Sequence, residues 1–347
     1  MITIQPYSTQ QNSMMSQIEK DNSILIIGRG SNEYKLNEFI KPNNLSDMKT
    51  MFGDSELTDA YQIAVTYGAE NVYVMNCLKS TDFRDTANLV GQYNFAYIVP
   101  IGINLSDTFY ESSYNRYTYF AEHYLNQSEA QMNSLIIFTD KHAGLYEDID
   151  AFISDMHIKV ENFKQQSNYV LEDKGRRFAF CLNNLENIKY SNVILATYLS
   201  ATRLGEYPTN ISIPAIYDID SIDIMHDEII YFKSNFLTNT SIENLNNFRT
   251  ILDANKLITI DMVIRHIERT LDTSFVVGKL YNKYIEMLLH DYLDEYFRQL
   301  LKTAISNYAI KDIKFVTTDG SYGYITIDLD IYPINSLEVV NTLLEVK

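Results

Sequence analysis

The feature that most constrains this chain is a change of hydrophobic period towards its C-terminal end. Tyr281, Tyr284, Ile285, Leu288, Leu289, Tyr292, Leu293, Tyr296, Phe297, Leu300, Leu301, Ala304 and Ile305 recur at i, i+3 and i+4, with mostly polar residues between. That spacing lines one face of a helix, so it predicts a long amphipathic helix over 281–305. The period then falls to two. Ile313 and Phe315 alternate with Asp312 and Lys314, and Ile325, Ile327, Leu329 and Ile331 alternate with Thr326, Asp328 and Asp330. Asp319-Gly320, between the two runs, supplies a turn able to take positive φ. The pattern predicts a β-hairpin with one buried face and one wet face, ended by Pro333.

Upstream, short apolar runs alternate with helical periods. Strands are expected at Ser23–Gly28, Asn71–Cys77, Tyr93–Val99, Ser134–Phe138 and Phe178–Leu182. Helices are expected at Asn44–Phe52, Leu57–Tyr67, Tyr117–Leu125, Ile149–Phe163, Asn192–Leu204 and Ser241–Ala254, and from an N-cap at Asp261 towards Phe275. Glu228–Phe236 reads as extended or mixed. This alternation predicts an α/β fold, α+β overall: a central, mostly parallel sheet flanked by helices, then the long helix and hairpin. Extended strands close both ends. Ile2, Thr3 and Ile4 begin a short alternating strand followed by a polar tether, and Leu343, Leu344 and Val346 form a final apolar stub. A lone strand is not stable by itself, so the first must pair within its own chain or with another.

Composition narrows the function. A chain of 347 residues, 46% hydrophobic and 21% charged, can bury a core and divide into two or three domains. The formal net charge of -17, with no Lys/Arg-rich stretch, disfavours nucleic acid and an anionic membrane surface as partners. No run approaches ~18 consecutive apolar residues, so no membrane span is expected. Met1 to Tyr7 lacks the pattern of a signal peptide. Cys77 and Cys181 each lie in an apolar, strand-like stretch, which suits buried free thiols and a reducing cytoplasm. The 27 tyrosines, each with an apolar ring and a polar tip, suit contact surfaces.

Motifs for chemistry are weak. Gly28-Arg29-Gly30 follows a strand, but position 33 is Glu and a dinucleotide fingerprint needs Gly there; a tight turn explains the glycines. The histidines show no His-x3-His spacing, and no Cys-x2-Cys exists, so no metal site is expected. There is no Gly-x-Ser-x-Gly elbow. Asp140 and His142, beyond a strand, are the nearest approach to a reactive pair, without an evident nucleophile. Asp291, Asp294 and Glu295 lie on the polar side of the long helix, as a solvated face or a dock for a basic partner. No catalytic residue and no cofactor is assigned.

The order of segments resembles that of contractile, phage-type tail sheath proteins in their compact form. The likeness runs from Ser23–Gly28 through Phe52-Gly53 and Leu57–Tyr67 into the strand that follows Gly68. It continues in Ile264 to Leu271, in Ile325 to Pro333, in Ile334 to Glu338, and in Asn341 to Val346. Arg203 to Pro214 is a loose counterpart of the family's Pro-rich middle segment. The resemblance implies an arm and linker over 1–22, an α/β part over 23–90, and a non-catalytic, subtilisin-like domain over 91–250. A C-terminal sheath domain over 251–336 and an arm over 337–347 would complete it. It further implies hexameric rings stacked around a tail tube, with the chain itself, the tube protein, and baseplate and terminator proteins as partners. The particle would be a virion tail assembled in a bacterial cytoplasm, and the subunit not an enzyme. Ile2, Thr3, Ile4, Leu343, Leu344 and Val346 would be inter-subunit arm strands. The hairpin at Ile313, Phe315, Ile325, Ile327, Leu329 and Ile331 would accept them. A baseplate-proximal sheath-like protein and an α/β enzyme are the alternatives.

Overall fold

Ile24, Leu25, Ile26 and Ile27 are at most 1% exposed, which requires cover on both faces of the strand they form. That strand, β1 (Ile24–Gly28), is an interior strand of the larger of two compact units. The computed structural model describes residues 22–77, 86, 89–90, 95–104, 135–171, 178–201, 229–230, 232–233, 236–237, 241–242, 252–253, 259, 263, 266–267, 283–301, 303–317 and 323–333. Among these, one unit takes in 22–201 and the short strands from 229 to 253; the other takes in 259–333.

In the first unit, β2 (Phe39–Ile40) leads to α1 (Leu45–Phe52) and α2 (Glu56–Thr66), then β3 (Val72–Asn76). Asn44 caps α1, its side chain accepting from the Asp47 N–H at 3.0 Å, and Ser55 caps α2 through the Thr58 N–H at 3.3 Å. Gly53 ends α1 at φ +64°, a left-handed backbone, and an added Cβ would stand 2.1 Å from Ser31 Oγ. With Phe52 fully buried, this is the physical basis of the Phe-Gly pair in the sequence. There follow β4 (Tyr97–Pro100), β5 (Leu135–Phe138), α3 (Ile149–Leu171), β6 (Phe178–Cys181), α4 (Ser191–Ala201) and β7 (Ile229–Ile230).

These strands form one seven-stranded sheet in the order β2-β3-β1-β4-β5-β6-β7, parallel except for β2. Ranges 23–90 and 91–250 thus both contribute to a single sheet. The α/β class and the mostly parallel sheet are as expected. α4 is buried at every residue from Ser191 to Ser200 except Tyr198, so it serves as a core element and not as a one-sided cover. Asn192, also buried, donates from Nδ2 to the carbonyls of Pro100 at 3.1 Å and Ile137 at 3.2 Å, which ties the start of α4 to β4 and β5.

One expectation fails here. The spacing over Ser241–Ala254 predicts a helix, but β10 (Ser241–Ile242) and β11 (Leu252–Asp253) pair antiparallel, with Ile242 opposite Leu252. Pairing across the segment satisfies backbone groups that a local helix would otherwise use, and the helical spacing of its apolar residues gives no sign of that. Before it, β8 (Phe232–Lys233) and β9 (Phe236–Leu237) form a small antiparallel pair. The helix expected at Tyr117–Leu125 lies outside the described residues, as does most of the one expected after Asp261.

The second unit is built on α5 (Lys283–Leu300), β12 (Ile305–Thr317) and β13 (Gly323–Pro333). Ile285, Leu289, Tyr292, Leu293, Tyr296, Phe297 and Leu300 are the buried face of α5. They pack with Val263, Ile267, Ala304, Ile305 and Ile313 into one cluster. The helix therefore ends at Leu300 and not at Ile305. Ala304 and Ile305 are fully buried in the same cluster, so the apolar pattern continues across the helix end and hides it.

Candidate assembly interface

The hairpin is a long antiparallel ribbon. Ile313 lies opposite Ile327, Phe315 opposite Ile325, Ile310 opposite Leu329 and Tyr308 opposite Ile331. Ile313 is 7% exposed, and Ile327, Leu329 and Ile331 are half-buried against the cluster under α5. These side chains face their own core. What the ribbon offers a further strand is backbone: among the described residues, β12 and β13 pair only with each other, so each keeps one open edge. The register shifts between Ile305 and Asn307 and again between Ile310 and Asp312, bulges that increase its twist. Lys311 binds Asp330 across the strands at 2.6 Å, and Lys314 pairs with Asp312. Charges along an open edge discourage indiscriminate pairing.

The ribbon is fixed to the helix through Tyr308. Its hydroxyl donates to Asp294 Oδ1 at 2.6 Å and its ring stacks on Phe297 at 5.0 Å. Asp294 also takes Arg298 at 2.6 Å, so this acid, read from the sequence as part of a solvated face, has structural work. Asp291 and Glu295 remain exposed. A groove of about 420 Å3 runs between α5 and β12, lined by Met287, His290, Ile310 and Ile313 among others. Ile2, Thr3, Ile4, Leu343, Leu344 and Val346 lie outside the described residues.

The sequence motifs for chemistry have other occupations. The Gly30 N–H donates to Asn76 Oδ1 at 2.8 Å, and Asn76 Nδ2 donates to the carbonyls of Asn32 at 2.9 Å and Tyr34 at 3.1 Å. A Cβ at Gly28 would stand 2.5 Å from Ile101 Cγ1. These glycines allow a close turn braced by Asn76. Asp140 and His142 face different partners. His142 Nδ1 accepts from the Gly144 N–H at 3.2 Å, which leaves Nε2 to donate to the Leu185 carbonyl at 2.8 Å. Asp140, fully buried, is held by Lys159 at 2.9 Å, and Lys159 also holds Asp155 at 2.6 Å. Tyr146 donates to Asp155. Burial pushes the Asp140 carboxyl above its ordinary value despite Lys159. Burial also acts on Asp155, but hydrogen bonds from Lys159 and Tyr146 outweigh it and hold that carboxyl low. Burial, and then the bond to Asp155, push Tyr146 up to about 12. This cluster was missed in the sequence; the one available signal was the i,i+4 pair Asp155 and Lys159.

No protein-family model and no curated protein matches the sequence. Solved structures do match. A chain of the anti-feeding prophage baseplate, six-fold symmetrised, aligns over 95% of this chain and 94% of its own at TM-score 0.66 and 10% identity. The sheath complex of the PVC extracellular contractile injection system, in its contracted state, aligns over 93% and 91% at TM-score 0.64 and 10% identity. A sheath tail protein of Listeria innocua aligns over 92% and 98% at TM-score 0.55 and 8% identity. The chain has the fold of contractile-tail sheath proteins. The alignments cover nearly the whole of both chains in each case.

Proposed function

We propose that this chain is a structural subunit of a contractile tail sheath. It polymerises as stacked hexameric rings around a tail tube and contracts to drive that tube through a target envelope. Its partners are further copies of itself, the tube protein, and baseplate and terminator proteins. It works in a particle tail assembled in a bacterial cytoplasm, without catalysis. The observation that carries this reading is the whole-chain likeness to a sheath complex and a sheath tail protein, 92–93% of this chain. The open-edged ribbon supports the mode of linkage. Arms at 1–22 and 337–347, with strands at Ile2–Ile4 and Leu343–Val346, add to the ribbon of a neighbouring copy through main-chain hydrogen bonds.

A second reading, a baseplate-proximal sheath-like protein, is favoured by one observation: the anti-feeding prophage match comes from a baseplate structure. Negative-stain electron microscopy of the purified protein separates the two. A sheath subunit forms long striated tubes, and a baseplate-proximal protein stops at single rings. A monodisperse globular particle under the same conditions overturns both.

A further inference from the structure

Six described cations are neutralised within the chain. Lys35 pairs with Glu38, Lys49 with Asp54, Lys159 with Asp140 and Asp155, and Arg298 with Asp294. Lys311 and Lys314 pair across or along the ribbon. Arg29, Lys41, Lys141, Lys189 and Lys283 are exposed and make no ion pair among the described residues, and two of these line one cleft. They are Lys141 and Lys189.

The cleft, about 450 Å3, opens at the carboxyl ends of β4, β5 and β6. Its position is fixed by the sheet. The strand order reverses between β1 and β4, which leaves a crevice beyond those two strand ends, and the cleft extends from the β4 side of it across β5 and β6. Asn183, buried, pins the two lysine-bearing segments together. Its Nδ2 donates to the Asp140 carbonyl at 3.0 Å and to the Lys189 carbonyl at 2.6 Å. Both lysines thus project from backbone held by one side chain. Asp140 is already matched by Lys159, and Glu56 is the remaining acid of the lining. Leu145, which also lines the cleft, is 73% exposed.

A chain of net charge -17 repels its own copies, so close packing requires its unpaired cations to stand against acids of a neighbour. We propose that this cleft is a copy-to-copy contact. Lys141 and Lys189 of one copy receive Asp291 and Glu295 of α5 in a second copy, with Leu145 covered by the contact. Asp291 and Glu295 stand four residues apart on one helix face, both exposed and without an ion pair among the described residues, while Asp294 between them is occupied by Tyr308 and Arg298. The inference rests on the sheath reading, because it needs self-association.

The test uses the full chain carrying Lys141→Glu and Lys189→Glu. Circular dichroism and melting temperature stay at wild-type values, while the concentration needed for assembly in microscopy and sedimentation rises at least about tenfold. Adding Asp291→Lys and Glu295→Lys to that variant restores assembly. If the reversed variant fails to fold, Lys141→Gln with Lys189→Gln replaces it, with the same rise expected. A folded variant that assembles at wild-type concentration overturns the contact while leaving the sheath reading intact. Loss without restoration by the α5 changes overturns the pairing with α5. A wild type that never assembles overturns this inference together with the reading beneath it.

Discussion

Tyr296 lies in the cluster under α5 at 1% exposure, and its hydroxyl has no hydrogen-bond partner among the described residues. Burial pushes that hydroxyl well above its ordinary value, with a smaller push from Tyr292. Its ring stacks on His266 at 4.4 Å, and His266 reaches the Tyr292 hydroxyl at 3.0 Å. The aromatic contact is useful to the core, while the unmet hydroxyl costs it about 1–3 kcal/mol. Tyr296→Phe keeps the ring and removes the penalty, so the melting temperature of the variant should rise. A fall of more than a degree in calorimetry would mean that the hydroxyl is satisfied in solution. Nothing in the sequence separates Tyr296 from Tyr292, one turn earlier on the same stripe. The difference lies in which residue of another segment reaches each hydroxyl.

Among the elements, α3 is fixed to the end of β5 by the ion pairs of Lys159. Removing Lys159 leaves Asp140 buried without a counter-charge, a change that costs about 3–5 kcal/mol. Asp140 already has a raised native value, and without Lys159 it rises further. The native state then keeps a proton that the unfolded chain releases above about pH 4, so stability falls as pH increases. Asp155 is held low in the native protein, giving stability that is lost as pH falls; removing Lys159 takes some of that away as well. The Asp140 effect makes Lys159→Met more damaging near pH 7 than near pH 5, while the Asp155 contribution is nearly complete at both values. Urea titrations at the two values should show the larger loss at neutral pH, and equal losses would contradict the assignment. The strands and helices of this unit were legible in sequence because buried parallel strands read as unbroken apolar runs. The pairing of β10 with β11 was not, since two strands of two residues each are too short to show a period of two.

At the scale of the whole molecule, the proposed sheath function needs links between copies that hold despite a net charge of -17 on each. Strand addition meets that need, because main-chain hydrogen bonds hold regardless of net charge. Deleting residues 341–347 should therefore abolish polymerisation while leaving a folded protein with wild-type circular dichroism. Tubes formed by the deleted chain would dispose of the C-terminal arm. The amino-acid sequence by itself determined the alternation of strand and helix, the amphipathic stripe of α5 and the two-residue period of the hairpin, because each is written in neighbouring residues. Tertiary structure alone decided where α5 stops, since one core buries both sides of that boundary. It also decided that residues 23–90 and 91–250 share a sheet, that Asp140 belongs to Lys159, and that Asn183 brings Lys141 and Lys189 to one cleft. Those are contacts between residues distant in the chain, and local periodicity carries no record of them.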